Sequence, residues 1–251
     1  MLNLKSVKTQ LVLFLVCFAI FLSFKDKDTA FLLMTAIAVL SAVLTESCIG
    51  YFKTKTFRIA ESAIIAGLIV GYVLSSDGPW WWFTCAAALA IVSKNLIHLG
   101  GKHIFNPAAL GIFITLIVFD ASTQWKGTYL WPVLLPAGIY FIYKLKKTEV
   151  MIGYGIIFLL LFWGQAALQG VPLVDIFGYL SYFYVFIMVI EPKTTPAKPV
   201  PKLLFGGCLV GLIFILTEMG VNFDVELFSL LVMNLTVPFL SQLTQRKRGS
   251  L

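Results

Sequence analysis

Apolar positions run along this chain in long blocks rather than in the alternating or half-helical patterns of a water-soluble domain. The blocks lie at about 8–24, 29–50, 59–75, 79–97, 104–119, 129–143, 150–168, 174–190, 203–219 and 226–242. Most approach the twenty or so apolar residues that a helix needs to cross a bilayer, and short polar gaps separate them. The pattern predicts an all-α integral membrane protein with ten transmembrane helices, forming one polytopic domain over 1–251.

Charge gives the blocks a direction. Of the 19 Lys and Arg residues, 16 fall in alternate gaps: Lys5, Lys8, Lys53, Lys55, Arg58, Lys94, Lys102, Lys144, Lys146, Lys147, Lys193, Lys198, Lys202, Arg246, Lys247 and Arg248. Only Lys25, Lys27 and Lys126 fall on the other side, together with Asp77, Asp120, Asp175, Glu218, Asp224 and Glu226. By the positive-inside rule the first set is cytoplasmic. Both termini are then expected in the cytoplasm, in a multi-pass protein of the cytoplasmic membrane.

Composition narrows the class further. The chain is 59% hydrophobic and 12% charged, about half the charged fraction of a soluble domain, so lipid must cover much of it. The net charge of +7 is dispersed one to three residues per gap, which suits anionic headgroups and argues against nucleic acid as a partner. Lys5 and Lys8 before an apolar run resemble a signal peptide, but Leu22-Ser23-Phe24-Lys25 has no small-x-small cleavage pattern, and the first span is expected to be retained. Cys17, Cys48, Cys85 and Cys208 stand singly in different blocks, without Cys-x-x-Cys spacing, and read as small buried hydrophobes. No metal site is expected.

Function is sought where the helical pattern breaks, because irregular backbone at membrane depth is tolerated only where it lines a site or is buried in protein. The first break is Leu99-Gly100-Gly101-Lys102-His103-Ile104-Phe105-Asn106-Pro107. The glycine pair is expected to end the fourth helix, Asn106 is a favoured N-cap, and Pro107 suits the first helical position. A helix from Pro107 to Phe119 spans only about 20 Å, short of the roughly 30 Å hydrocarbon core. Its positive end, flanked by Lys102 and His103, would then open inside the protein as a seat for an anion or an electron-rich carbonyl; a tight interfacial turn with Lys102 reaching into the headgroups is the alternative reading.

The second break is Glu191-Pro192-Lys193-Thr194-Thr195-Pro196-Ala197-Lys198-Pro199-Val200-Pro201. Four prolines between 192 and 201 forbid helix and favour an extended path. Glu191 at the end of an apolar helix opposes the dipole unless it pairs, with Lys193 or Lys198 as candidates. A solvated basic loop is the simpler reading of the same composition. Two other features are Glu61, opening a span with a small-residue face at Ser62, Ala63, Ala66, Gly67 and Gly71, and Asn234 four residues before Pro238, which can bring polar atoms to a midplane site.

These segments resemble the NqrB/RnfD family, the membrane subunits of the sodium-pumping NADH:quinone oxidoreductase and of the Rnf ferredoxin:NAD oxidoreductase. Gly101-Lys102-His103-Ile104-Phe105-Asn106-Pro107-Ala108 is similar to the family's G-[RK]-x-[IFL]-F-N-P-A segment, and Glu191-Pro192-Lys193-Thr194-Thr195-Pro196 to its D-P-x-[TS]-[ST]-P loop, with Glu for Asp. Glu61–Gly71 with Asp77-Gly78-Pro79-Trp80-Trp81 resembles its third span and following turn, and Asn234-Leu235-Thr236-Val237-Pro238 its closing segment. The resemblance implies two inverted five-helix repeats, about 1–125 and 126–251, with a broken helix near 100–107. It also implies a flavin, FMN or riboflavin, near Lys102, His103, Asn106, Pro107, Glu191, Lys193, Thr194, Thr195 and Asn234. The family's covalent-flavin segment is missing: Asp120-Ala121-Ser122-Thr123 lacks the Gly-Ala of Ser-Gly-Ala-Thr, so the flavin is expected to be noncovalent.

Two functional classes follow. One is an electron-transfer subunit of a membrane redox complex, possessing no Gly-x-Gly-x-x-Gly of its own and served by a soluble NAD(P)H- or ferredoxin-linked protein. The other is a channel or carrier for a small solute, since inverted repeats with broken helices also build transporters. Glu46 and Glu61 are the main ionisable residues inside the spans, too few for a long proton relay.

Overall fold

The computed structural model describes residues 6–55, 60–99, 102–190 and 194–242. It divides into two compact units, Met1–Tyr129 and Leu130–Leu251.

The first unit holds α1 (Val7–Asp26), α2 (Thr29–Thr54), α3 (Glu61–Val73), α4 (Trp80–Leu96) and α5 (Pro107–Phe119). The Asp28 carboxylate starts α2 by accepting the Phe31 N–H at 2.9 Å, supplying one of the acceptors that a helix start lacks. α2 lies along α3 and α4, and α5 lies along α4. These contacts are close because glycines permit them: a Cβ on Gly111 of α5 would sit 2.2 Å from the Ala86 carbonyl of α4, and one on Gly67 of α3 only 2.5 Å from the Val39 Cα of α2.

α3 and α5 each have 13 residues, about 20 Å of helix. Where α3 stops, the chain continues extended and pairs with the segment following α5. Ser75 N–H donates to the Ser122 carbonyl (2.9 Å), Gln124 N–H to Val73 (2.8 Å) and Lys126 N–H to Tyr72 (2.7 Å). Backbone that has left the helix is satisfied by backbone, as a buried segment requires. A strap from 120 to 129 results, locked by the Lys126 ammonium on Asp28 (2.7 Å) and Asp26 (3.3 Å).

The second unit holds α6 (Trp131–Lys144), α7 (Thr148–Gln169), α8 (Pro199–Glu218) and α9 (Val225–Gln242). α7 and α8 pack at backbone contact, since a Cβ on Gly153 would fall 2.0 Å from the Leu203 carbonyl and one on Gly206 the same distance from Val150. The Asp224 carboxylate caps α9 by accepting the Leu227 N–H at 2.9 Å.

Three expectations are corrected. The block at 174–190 is not a continuous α-helix: Leu173–Tyr179 is a 3-10 helix, and Tyr184–Met188, wholly buried, is one turn of π-helix. Nine α-helices are therefore formed among the described residues. Four of them (α1, α2, α7, α8) are long and apolar enough to cross a membrane by length and composition, and α3, α5 and α9 are shorter apolar helices. The fourth helix ends at Leu96, ahead of the glycine pair, and His98-Leu99 pairs antiparallel with Lys102-His103. Finally, Cys17, Cys48 and Cys208 are exposed and Cys85 half-buried, so they face outward from their units.

Candidate functional site

At the first break, the short ladder sets His98 opposite His103 and Leu99 opposite Lys102, and the Ile104 N–H returns to the Ile97 carbonyl at 3.3 Å. The chain is thereby delivered to Asn106 in extended conformation. The Asn106 side-chain oxygen accepts the Ala109 N–H at 3.0 Å, and Pro107 takes the first helical position. Asn106 is fully buried (0% exposed), so α5 starts inside the unit. His103 is half-buried beside it; Gly100, Gly101 and the Lys102 side chain lie outside the described residues. The carboxamide oxygen of Asn106 thus organises the helix start, whose first-turn N–H groups carry the positive dipole end.

At the second break, Glu191 and Lys193 lie outside the described residues, while Thr194 and Thr195 are buried. Asn234 of α9, itself fully buried, donates its side-chain amide to the Thr194 carbonyl at 3.1 Å. Pro238 lies within α9 and has no N–H to offer the Asn234 carbonyl four residues back. Thr195 receives the ammonium of Lys147 on its hydroxyl. Lys147 is 4% exposed; a buried ammonium costs several kcal/mol of desolvation unless compensated, which makes this a built polar position. Beside it the Lys202 ammonium donates to the Lys146 carbonyl (2.7 Å) and the Glu149 carboxylate (3.0 Å), fixing the corner that starts α7.

Of the residues expected at the site, Thr194, Thr195 and Asn234 are brought together in the second unit, and His103, Asn106 and Pro107 are neighbours at the helix start of the first. Lys147 and Lys202 were missed. In the sequence they belong to basic gaps that membrane orientation already explains. The one available signal was Lys147-Thr148-Glu149, a helix-start pattern that places Lys147 at the α7 cap.

Glu61 and Glu46 have partners within the first unit. Ser6, which precedes α1, and Thr9 within it donate hydroxyls to Glu61. Glu46 of α2 takes the Lys94 ammonium at 2.7 Å and the Asn95 amide at 3.3 Å, and Lys94 also reaches the Ser62 hydroxyl of α3 at 3.0 Å. Among the described residues no three His, Cys, Asp or Glu side chains gather as metal ligands would.

Several long apolar helices with buried polar breaks define a multi-pass helical membrane protein. The sequence profile of the NQR2, RnfD, RnfE family matches residues 2–133 and again 127–249, and the chain belongs to that family. Its relatives include the D subunit of the ion-translocating oxidoreductase complex of Yersinia enterocolitica, 32% identical over 99 residues, or 38% of this chain and 28% of that protein. The corresponding protein of Klebsiella pneumoniae is 30% identical over 110 residues, 42% of this chain and 31% of that protein. That of Alcanivorax borkumensis is 32% identical over 95 residues, 35% and 27% respectively. The matched region thus spans less than a third of each of these relatives.

Proposed function

We propose that this chain is the membrane subunit of an ion-translocating, Rnf-like oxidoreductase complex and that it holds a flavin, FMN or riboflavin, without a covalent bond. Family membership supports the complex. The observation that carries the site is the buried Lys147 ammonium on Thr195, in the loop that Asn234 pins. Such a position suits an electron-rich oxygen of a ring or a phosphate, because a cation and a hydroxyl are held there away from water. The first-turn N–H groups of α5, set by Asn106, offer the same chemistry in the first unit. The residues present therefore fit the oxygen-rich periphery of a flavin, which when bound would supply one- and two-electron transfer. Lys147 and Thr195 would orient it and favour added negative charge. In the same proposal, electrons arrive from a soluble NAD(P)H- or ferredoxin-linked protein at the cytoplasmic side, the chain crosses the cytoplasmic membrane ten times as two inverted repeats, nine times as α-helix and once through the 3-10 and π segments of 173–190, and both termini are cytoplasmic.

Absorbance tests the reading. Protein purified with its complex should be yellow, and acid denaturation should release the flavin into the supernatant. A colourless protein in an otherwise flavin-loaded complex would overturn the cofactor, and fluorescence retained on the denatured band would overturn its noncovalent attachment.

A further inference from the structure

The chain holds two histidines, and the fold sets them face to face. His98 and His103 are register partners in the short antiparallel ladder between α4 and α5. The Ile104 N–H donates to the Ile97 carbonyl at 3.3 Å, one step outside the pair, so His98 and His103 occupy a non-hydrogen-bonded position of the ladder. At such a position the α-carbons approach to about 4.5 Å and the two side chains rise from the same face of the hairpin. Spacing in the sequence does not reveal the pair, because the register of the hairpin creates it.

Two imidazoles that close can ligate one ion, each through a nitrogen at about 2.0–2.1 Å from a zinc-like centre. The hairpin is anchored at both ends, by α4, which stops at Leu96, and by the Asn106 cap of α5. Little order therefore remains to be gained on binding. His98 is exposed and His103 half-buried, which leaves one side of the pair open to an ion from solution and backs the other with protein. The Lys94 ammonium, four positions before His98, is neutralised by the Glu46 carboxylate at 2.7 Å. Because no group of three metal-ligating side chains forms among the described residues, water would fill the remaining positions. That is the pattern of an open, exchangeable site rather than a closed structural one.

We propose that His98 and His103 form a bidentate site for a divalent transition ion, Zn2+, Ni2+ or Cu2+. Imidazole suits these ions, whereas hard ions take oxygen ligands, so the site differs in chemistry from any path for a translocated alkali ion. A bound ion cross-links the exit of α4 to the entrance of α5 and stiffens the segment that delivers Asn106 to its capping position. The site needs neither flavin nor an electron partner, and it stands or falls apart from the proposed function.

The test uses the full chain, carrying a purification tag without histidine, in nanodiscs of zwitterionic lipid at neutral pH. Zn2+ affinity and stoichiometry are measured by competition with a chromogenic chelator, and Cu2+ bound in its place is read by electron paramagnetic resonance for nitrogen couplings. Wild type should hold one Zn2+ per chain at this site, and the copper form should show two coupled nitrogens. His98→Ala and His103→Ala should each weaken binding at least tenfold, as severely as the double variant, because chelation needs both rings. The exchange Ile97→His with His98→Ile keeps two imidazoles but moves one to the opposite face of the strand, and it should bind as weakly as His98→Ala. Single variants that keep wild-type affinity would mean that the histidines bind independently, which overturns the proposal. So would the absence of Zn2+ binding in wild type, or wild-type affinity in the double variant, which would place the ion on the exposed thiols of Cys17, Cys48 and Cys208. Ile97 and His98 are both exposed, so the variants at these positions keep the test decisive even if His103→Ala does not fold.

Discussion

Asn234 donates its side-chain amide to the main-chain carbonyl of Thr194, 3.1 Å away and forty residues earlier in the chain. The bond fastens a loop that cannot be helical to α9, which carries Pro238 near its C-terminal end. Both partners are buried, so breaking the bond leaves a carbonyl without solvent. Asn234→Ala should lower the unfolding free energy by about 1–3 kcal/mol, seen as a lower thermal midpoint in detergent. If the loop forms the proposed flavin site, the flavin content of the purified complex should fall as well. A wild-type midpoint would show that the loop is held by other contacts.

Glycine contacts predict a sharper contrast. Gly153→Ala and Gly206→Ala each place a methyl 2.0 Å from a carbonyl of the partner helix, forcing α7 and α8 apart at a cost of several kcal/mol, above the usual 1–3 for overpacking. Gly155 and Gly211, in the same two helices, meet nothing within 4 Å, and alanine there should be neutral or stabilise by about 0.5–1 kcal/mol through helix propensity. Thermal unfolding of the four variants decides it. Equal behaviour within either pair of helix positions would mean that the α7–α8 contact is not the one described.

How far such relations were legible in the sequence depends on the residue. Asn106-Pro107 announced the α5 start because cap and first-position preferences are local, and the structure starts α5 there. Thr194 with Asn234 was legible only as two separate breaks; their bond is tertiary. Lys147 was hidden because a lysine between apolar blocks reads as an orientation signal, and only packing shows that its ammonium turns inward. The run 174–190 has the right hydrophobicity for a span, but apolar content carries no information on whether the turn is α, 3-10 or π. The cysteines face outward for a related reason: in a protein meant for lipid, an apolar side chain has no compulsion to point inward.

Lys126 gives a pH prediction outside the spans. Partial burial pushes the Asp28 carboxyl up, but hydrogen bonds from Lys126 and the Phe31 N–H, with the Lys126 charge, outweigh it and hold Asp28 below its ordinary value. Burial lowers the Lys126 ammonium, and Asp28 and Asp26 overcome that and raise it. The stability from Asp28 is therefore present above its unfolded value of about 3.9 and lost as pH falls through the folded one; that from Lys126 is present below about 10.4 and lost as pH rises through its folded value. Lys126→Met should cost about 1–3 kcal/mol with a constant deficit between roughly pH 5 and 9. The deficit should shrink below pH 4. A deficit independent of pH down to 3 would place the stabilisation in packing on Phe31, whose ring the ammonium covers at 5.5 Å.

Lys147 separates structure from function within the second unit. Lys147→Met keeps the length and apolar stem of the side chain but removes the ammonium from the Thr195 hydroxyl. Because burying that charge is costly, loss of the ammonium should leave stability within about 1 kcal/mol of wild type, as replacement of buried charges by matched apolar groups often does. If Lys147 instead serves the proposed flavin, the variant should stay folded and lose at least tenfold in flavin affinity, or lower the potential of whatever flavin it retains, since a cation beside the ring favours the reduced, more negative form. Lys147→Arg should restore part of the effect through charge alone. A folded Lys147→Met protein with wild-type flavin affinity and potential would remove Lys147 from the site and leave it as a strut of the Thr194–Thr195 loop.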